Sequence, residues 1–308
     1  MLRSFFIWLS HNKFFRRLTT SLNFVRRAMR RFVAGETLDE AIAAIRALNA
    51  NGILATIDHL GENVTNLDEA CRAAQDYIDA LDRIGREGVT SHASLKLTQL
   101  GLDLGDDICR ENMARVLRKA QEVGTFIRID IESTEYTDRT LAMYRNLRKE
   151  FDNVGLAIQA YLYRTRDDIA ALCQAGANVR LCKGAYKEPP DKAFPKKKDV
   201  DANYVTAATL LLSEDARRRG AYGAFATHDV KMIDAVKAYA REHNIPHDRF
   251  EFQMLYGIRR DLQQQLAREG YKMRVYVPYG SEWYPYLMRR LAERPANVWF
   301  ILRNLFRG

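Results

Sequence analysis

Lys96, Asp130, Gln159, Arg180, Lys183, Thr227, His228, Gln253 and Tyr276 stand at or near the ends of short, apolar, β-branched runs. Buried strands are ordinarily Val-, Ile- and Leu-rich, and a polar group buried without a partner is costly. Taken singly, each residue has an ordinary structural use. Lys96 reads as a surface lysine, Asp130 as a partner for Arg128, Gln159 as a brace for loop backbone, and His228 as a cap for the helix starting near Asp229. Taken together, acids, cations and hydrogen-bonding groups at successive strand ends make up a reactive pocket. A second candidate is the pair Arg289–Arg290 on the last helical stretch. Planar guanidinium groups hold carboxylates bidentately, which makes the pair a candidate carboxylate clamp. Its plain alternative is a solvated face with a bridge to Glu293.

Other chemistries find less support. No G-x-G-x-x-G turn or G-x-S-x-G elbow occurs. His243 and His247 have ligand-like spacing, but Pro246 lies between them and no cysteine cluster joins them, so no metal is expected. Lys183 or Lys96 as a Schiff-base lysine leaves a flavin-free aldolase open as a rival.

The elements that must position these residues recur along the chain. Strand patterns fall at 53–58, 92–97, 126–131, 155–162, 179–183, 223–227, 250–255 and 273–278. Helical patterns lie between them, among them 67–84, 111–123, 139–151 and 201–218, with a final one at 283–293. Strand alternating with helix implies a parallel sheet of βα units, and eight units match a (βα)₈ TIM-type barrel, whose reactive end is the C-terminal end of its strands. Residues 187–198, with three prolines and a lysine run, read as a long solvated loop after the fifth strand. The division expected is a helical arm at 1–50 and a barrel at 51–308.

Charge separates the arm from the rest. Of a net charge of +9, residues 1–35 carry +8 and no acid, so the remainder is close to neutral. That distribution argues against a nucleic-acid binder. The arm interleaves Phe5, Phe6, Trp8, Phe14, Phe15 and Phe24 with basic clusters. It reads as helices packed on the barrel, as an amphipathic contact with an anionic membrane, or as an organellar transit peptide. The four cysteines form no C-x-x-C pair, which suits reduced thiols in a cytoplasmic protein, peripheral on the inner face of the cell membrane under the second reading.

Seven segments resemble proline dehydrogenases of the short bacterial type: 94–102 (SLKLTQLGL), 128–133 (RIDIES), 158–161 (IQAY), 180–186 (RLCKGAY), 226–229 (ATHD), 251–257 (EFQMLYG) and 286–293 (YLMRRLAE). The likeness runs in order over roughly residues 30–305. It implies FAD held without a dinucleotide-binding fold, and oxidation of L-proline to 1-pyrroline-5-carboxylate by hydride transfer to flavin N5. It further implies a membrane quinone as electron acceptor. By position, Lys96, Arg289 and Arg290 would hold the substrate carboxylate, and Asp130 and Arg180 would form the catalytic pair. Ile131, Gln159, Arg180, Lys183, Gly184, Ala185, Thr227 and His228 would contact FAD. Tyr186, Leu255, Tyr276 and Tyr286 would wall the proline ring. Two positions depart from the pattern: Lys187 where larger members often carry tryptophan, and Cys182 where an aliphatic residue is common.

Overall fold

The computed structural model describes residues 29–293, apart from residues 62 and 187 and the side chains of residues 289–293. A short helix, α1 (Leu38–Asn49), precedes the barrel and is opened by a reciprocal capping box between Thr37 and Glu40. Eight parallel strands follow: β1 (Leu54–His59), β2 (Ser91–Leu95), β3 (Ile127–Ile129), β4 (Val154–Gln159), β5 (Asn178–Cys182), β6 (Tyr222–Ala226), β7 (Phe250–Leu255) and β8 (Lys272–Tyr279). They pair in chain order, and β8 closes on β1.

The crossovers are α2 (Leu67–Glu87), α3 (Asp106–Glu122), α4 (Thr134–Leu147), α5 (Thr165–Gln174), α6 (Lys197–Leu212) with α7 (Glu214–Arg218), α8 (Val230–Glu242) and α9 (Arg260–Arg268). The chain ends its described part in α10 (Trp283–Glu293). The expected helix at 201–218 is therefore two. Ser213 ends the first in an extended conformation and caps the second, its hydroxyl accepting from Ala216 N–H. The expected loop at 187–198 is shorter than read, because Lys197 and Lys198 form the first turn of α6.

Each strand alternates, and the alternation sorts two environments. Ile127, Ile129, Val179, Leu181, Phe252, Met254, Val275 and Val277 join helix residues such as Leu81, Val116 and Leu211 in one apolar core between barrel and helices. The intervening residues point inward and meet across the barrel. Arg180 of β5 reaches Gln253 of β7 and Ser94 of β2, and Tyr276 of β8 reaches Asp130 beyond β3. Polar residues thus fill the interior layers as well as the strand ends. The interior can be polar because most of its groups are paired with one another, Asp58 Oδ2 and Gln159 Oε1 being exceptions.

The end of the N-terminal arm belongs to this body. Met29, Phe32 and Val33 are buried against Ile258, Trp283, Tyr284 and Leu287. Gly257 permits the approach: its φ is +73°, and a Cβ there would sit 1.6 Å from the Arg31 carbonyl oxygen. Residues 1–28, with most of the basic clusters, lie outside the described residues. Among the described residues no helix is long and apolar enough to cross a membrane.

Candidate active site

A cavity of about 410 Å³ opens at the C-terminal ends of the strands. Lys96, Asp130, Ile131, Gln159, Arg180, Lys183, Gly184, Ala185, Tyr186, Thr227, His228, Leu255, Tyr276 and Tyr286 all line it. Every residue that the resemblance assigns to the site, and whose side chain the structure describes, therefore converges on one space. The side chains of Arg289 and Arg290 lie outside the described residues, so the clamp itself is not seen. Their helix is in place: Tyr286, one turn earlier, is buried at the cavity wall.

Arg180 is the most constrained side chain of the site. Its Nε donates to Gln253 Oε1 at 2.6 Å, and its Nη1 to Ser94 Oγ at 2.9 Å and Asp130 Oδ1 at 2.5 Å. Its guanidinium lies 5.2 Å from the centroid of the Tyr276 ring. Ser94 Oγ also donates to Asp130 Oδ1 at 2.8 Å, and the Tyr276 hydroxyl to Oδ2 at 2.7 Å. Burial, then the Asp130 charge, push the Tyr276 hydroxyl well above its usual pKa, so it stays a donor. The alternative partner for Asp130, Arg128, is engaged one layer lower, with Asn178 and the Leu156 carbonyl.

The network continues downward. Gln253 donates to Glu251 Oε1, and Arg274 Nε donates to both Glu251 oxygens at 2.9 and 3.1 Å. Burial alone would raise the Glu251 carboxyl, but the Arg274 charge and hydrogen bonds outweigh it and hold it at about 2.

At the mouth, Lys183 Nζ donates to Asp201 and, at 2.7 Å, to Asp229. Burial would raise the Asp229 carboxyl, yet Lys183 holds it at about 2. Lys183 is thus already engaged by two carboxylates, which disfavours it as a Schiff-base nucleophile. Asp229, and not His228, caps α8, accepting from Lys231 N–H. His228 Nε2 accepts instead from Leu255 N–H at 3.0 Å, joining the ends of β6 and β7. Gly184, at φ +116°, lets the turn after β5 lie on the Tyr161 ring, where a Cβ would come within 2.3 Å. Cys182 is a half-buried thiol pushed up to about 12 by desolvation, donating to the Ile158 carbonyl, consistent with a small hydrophobe. His243 and His247 stack on different tyrosines, Tyr239 and Tyr271, and do not converge.

The sequence profile of the proline dehydrogenase family matches residues 41–303. The chain belongs to that family. It is 42% identical over its whole length to proline dehydrogenase 1 of Bacillus subtilis, all of which is covered. It is 43% identical to the proline dehydrogenase of Deinococcus radiodurans over 90% of each chain. Among solved structures, it superposes on proline utilization A of Bdellovibrio bacteriovorus, inactivated by N-propargylglycine, with a TM-score of 0.83 and 27% identity. That match covers 94% of this chain and 36% of the larger protein, so the chain spans about a third of it.

Within the family's barrel, several cavity residues escaped the reading of strand ends, Asp58, Asp229 and Lys197 among them. Asp58 closes the run at 53–58, as Lys96 and Asp130 follow theirs, and applying the same rule to the first strand finds it. Ser94 escaped for a different reason. A serine inside a strand is unremarkable until the fold brings Arg180 to it.

Proposed function

We propose that this proline dehydrogenase oxidises L-proline to 1-pyrroline-5-carboxylate with FAD held at the strand ends, and passes the electrons to a membrane quinone. This would be the first step of proline catabolism to glutamate. The observation that carries the reading is Arg180, a cation fixed by three strands inside a cavity of small-molecule size.

The residues fit a flavin. Gln159 donates through Nε2 to the carbonyls of Ile131 and Glu132, while its Oε1 is a buried acceptor without a partner in the protein. An acceptor there suits an N–H donor on the edge of a planar ring. The Gly184–Ala185 turn offers backbone close to the cavity, and Thr227, His228 and Lys183 stand at its rim. These residues, with Ile131 and Arg180, would hold the cofactor. When bound, FAD would supply the two-electron acceptor for the hydride lost from the substrate.

The protein's own share is positioning and charge. Lys96, with Arg289 and Arg290, would bind the substrate carboxylate. Tyr186, Leu255, Tyr276 and Tyr286 would confine the ring and exclude water. Such confinement turns the reaction into an orientation problem solved on binding. Arg180, held rigidly by Asp130, Ser94 and Gln253, would stabilise negative charge that develops during reduction.

The test is an absorbance spectrum of the purified protein, taken anaerobically with and without L-proline. A flavin band that proline bleaches supports the reading. A colourless protein with proline-dependent activity would remove FAD from it. With Tyr286 against the ring, 4-hydroxyproline should bleach roughly 10–100-fold more slowly at equal concentration. Equal rates would contradict the assignment of Tyr286 to the ring wall.

Residues 1–28 would then serve as a contact with an anionic leaflet, where quinones reside, each basic residue contributing about 1 kcal/mol. Deleting residues 1–28, while keeping the packed Met29, Phe32 and Val33, should leave activity with a soluble acceptor intact and weaken binding to anionic liposomes. Unchanged liposome binding would exclude the docking role.

A further inference from the structure

Three carboxylates line the cavity; Asp229 is held by Lys183 at the mouth, and the other two, Asp58 and Asp130, differ in what already occupies them. Asp130 accepts on both oxygens, from Arg180, Ser94 and Tyr276. Asp58, in the last turn of β1, is almost fully buried. Its Oδ1 takes a long hydrogen bond from the Tyr77 hydroxyl at 3.4 Å and lies 3.8 Å from Lys96 Nζ. Its Oδ2 is buried and has no partner in the protein. The Tyr276 hydroxyl lies between the two acids and donates to Asp130 Oδ2 at 2.7 Å; its pull on the Asp58 carboxyl is weaker than the effects of Lys96 and Asp130. A buried carboxylate oxygen without a donor is unfavourable, and this one belongs to a residue lining the cavity beside Lys96.

In an α-amino acid the amine and the carboxylate share one carbon. A carboxylate held by Lys96 therefore places the ring nitrogen within a few ångströms of Lys96's neighbour. We propose that Asp58 is the acceptor for the amine proton of proline. This rests on the function proposed above and supplies the proton path it lacks.

The step balances as follows. The bound ring ammonium gives one proton to Asp58, leaving a neutral amine with a lone pair. The C5–H bond then breaks, its electron pair departing as hydride to the two-electron acceptor. The nitrogen lone pair forms the C5=N bond, and the product is the N-protonated imine. The groups facing Asp58 are Lys96 after β2, Tyr77 of α2, Asp130 after β3, Tyr276 of β8 and the adjoining His59. Burial raises the Asp58 carboxyl, Lys96 draws it back, and Asp130 pushes it up again, leaving it above the ordinary range. A raised carboxylate is the better proton acceptor.

The test is anaerobic stopped-flow reduction of the holoenzyme by L-proline in wild type, D58N and D58E. Binding of tetrahydrofuran-2-carboxylate, a ring analogue with no amine proton, is measured alongside. D58N should slow reduction about 100-fold at neutral pH yet bind the analogue within about threefold of wild type. Its rate should climb with pH as free amine accumulates, and D58E should recover part of the loss. A D58N rate within about fivefold of wild type overturns the proposal. So does a loss of rate matched by an equal loss of analogue affinity with an unchanged pH profile, which marks Asp58 as support for Lys96.

Where neither variant folds with flavin, wild type decides. Reduction at saturating proline that falls from about pH 9 to about pH 6, without a parallel fall in analogue binding, supports the proposal, and a flat profile overturns it. Wild-type holoenzyme that proline does not reduce at all removes the functional reading instead.

Discussion

Replacing Arg180 by methionine is expected to lower kcat/KM for proline by roughly 10²–10³-fold, the cost of removing a preorganised charge from a reacting site. Arg180 makes three hydrogen bonds to side chains of three different strands or strand ends, at 2.5–2.9 Å. Few positions in the barrel are so fully determined. Methionine keeps the volume but leaves Asp130 with only Ser94 and Tyr276 as donors. Breaking one partner out of a buried pair also destabilises by about 3–5 kcal/mol. The two effects can be separated. Pairing R180M with D130N removes the stranded charge and should restore most of the melting temperature without restoring activity. R180K keeps the charge but not the planar fork, and should fall between wild type and R180M. A folded R180M within about threefold of wild-type kcat/KM would end the case for Arg180 as the central charge of the site.

Glu251→Gln should have the largest effect on stability, a loss of about 3–5 kcal/mol in urea unfolding. Glu251 and Arg274 are among the most deeply buried charges of the protein, and Arg274 Nη1 also holds the Ala55 carbonyl at 2.7 Å. The substitution leaves a buried guanidinium without its counter-charge.

The same pair sets an acid limit. Folding depresses the Glu251 carboxyl from 4.5 to about 2. The stability it contributes is therefore present above the unfolded value and is lost as pH falls from about 4.5 toward about 2. Wild type should lose more stability across that window than E251Q does, and parallel acid titrations of the two would rule the linkage out. E251M/R274M, which removes both charges, should recover much of the loss because desolvated ions are exchanged for apolar packing.

The candidate site was legible to an unusual degree because its residues break a local expectation. An arginine in the middle of Asn178–Cys182, or a lysine just after Ser91–Leu95, conflicts with an aliphatic strand wherever the chain is read. What stayed hidden were residues that conflict with nothing. Ser94 is ordinary in a strand, and only its meeting with Arg180 shows what it does. Lys197 appeared to belong to a solvated loop, yet it opens α6 and lines the cavity beside Lys183. Boundaries moved for local reasons, such as the Ser213 cap that splits one helical pattern into two.

Hydrophobic periodicity along the chain was enough to determine eight βα units and the order in which they pair. Parallel neighbours joined by a helix leave few other topologies. It also placed reactive groups near the strand ends. Periodicity says that alternate residues share a face, but not which residues meet across a closed barrel. The contact between Arg180 and Ser94 spans 86 positions, and that between Tyr276 and Asp130 spans 146. Both depend on strand stagger and closure, which no local stretch encodes. The tertiary structure therefore decided that the inward face is a connected polar network, and that Asp58 keeps an oxygen to spare at its upper end.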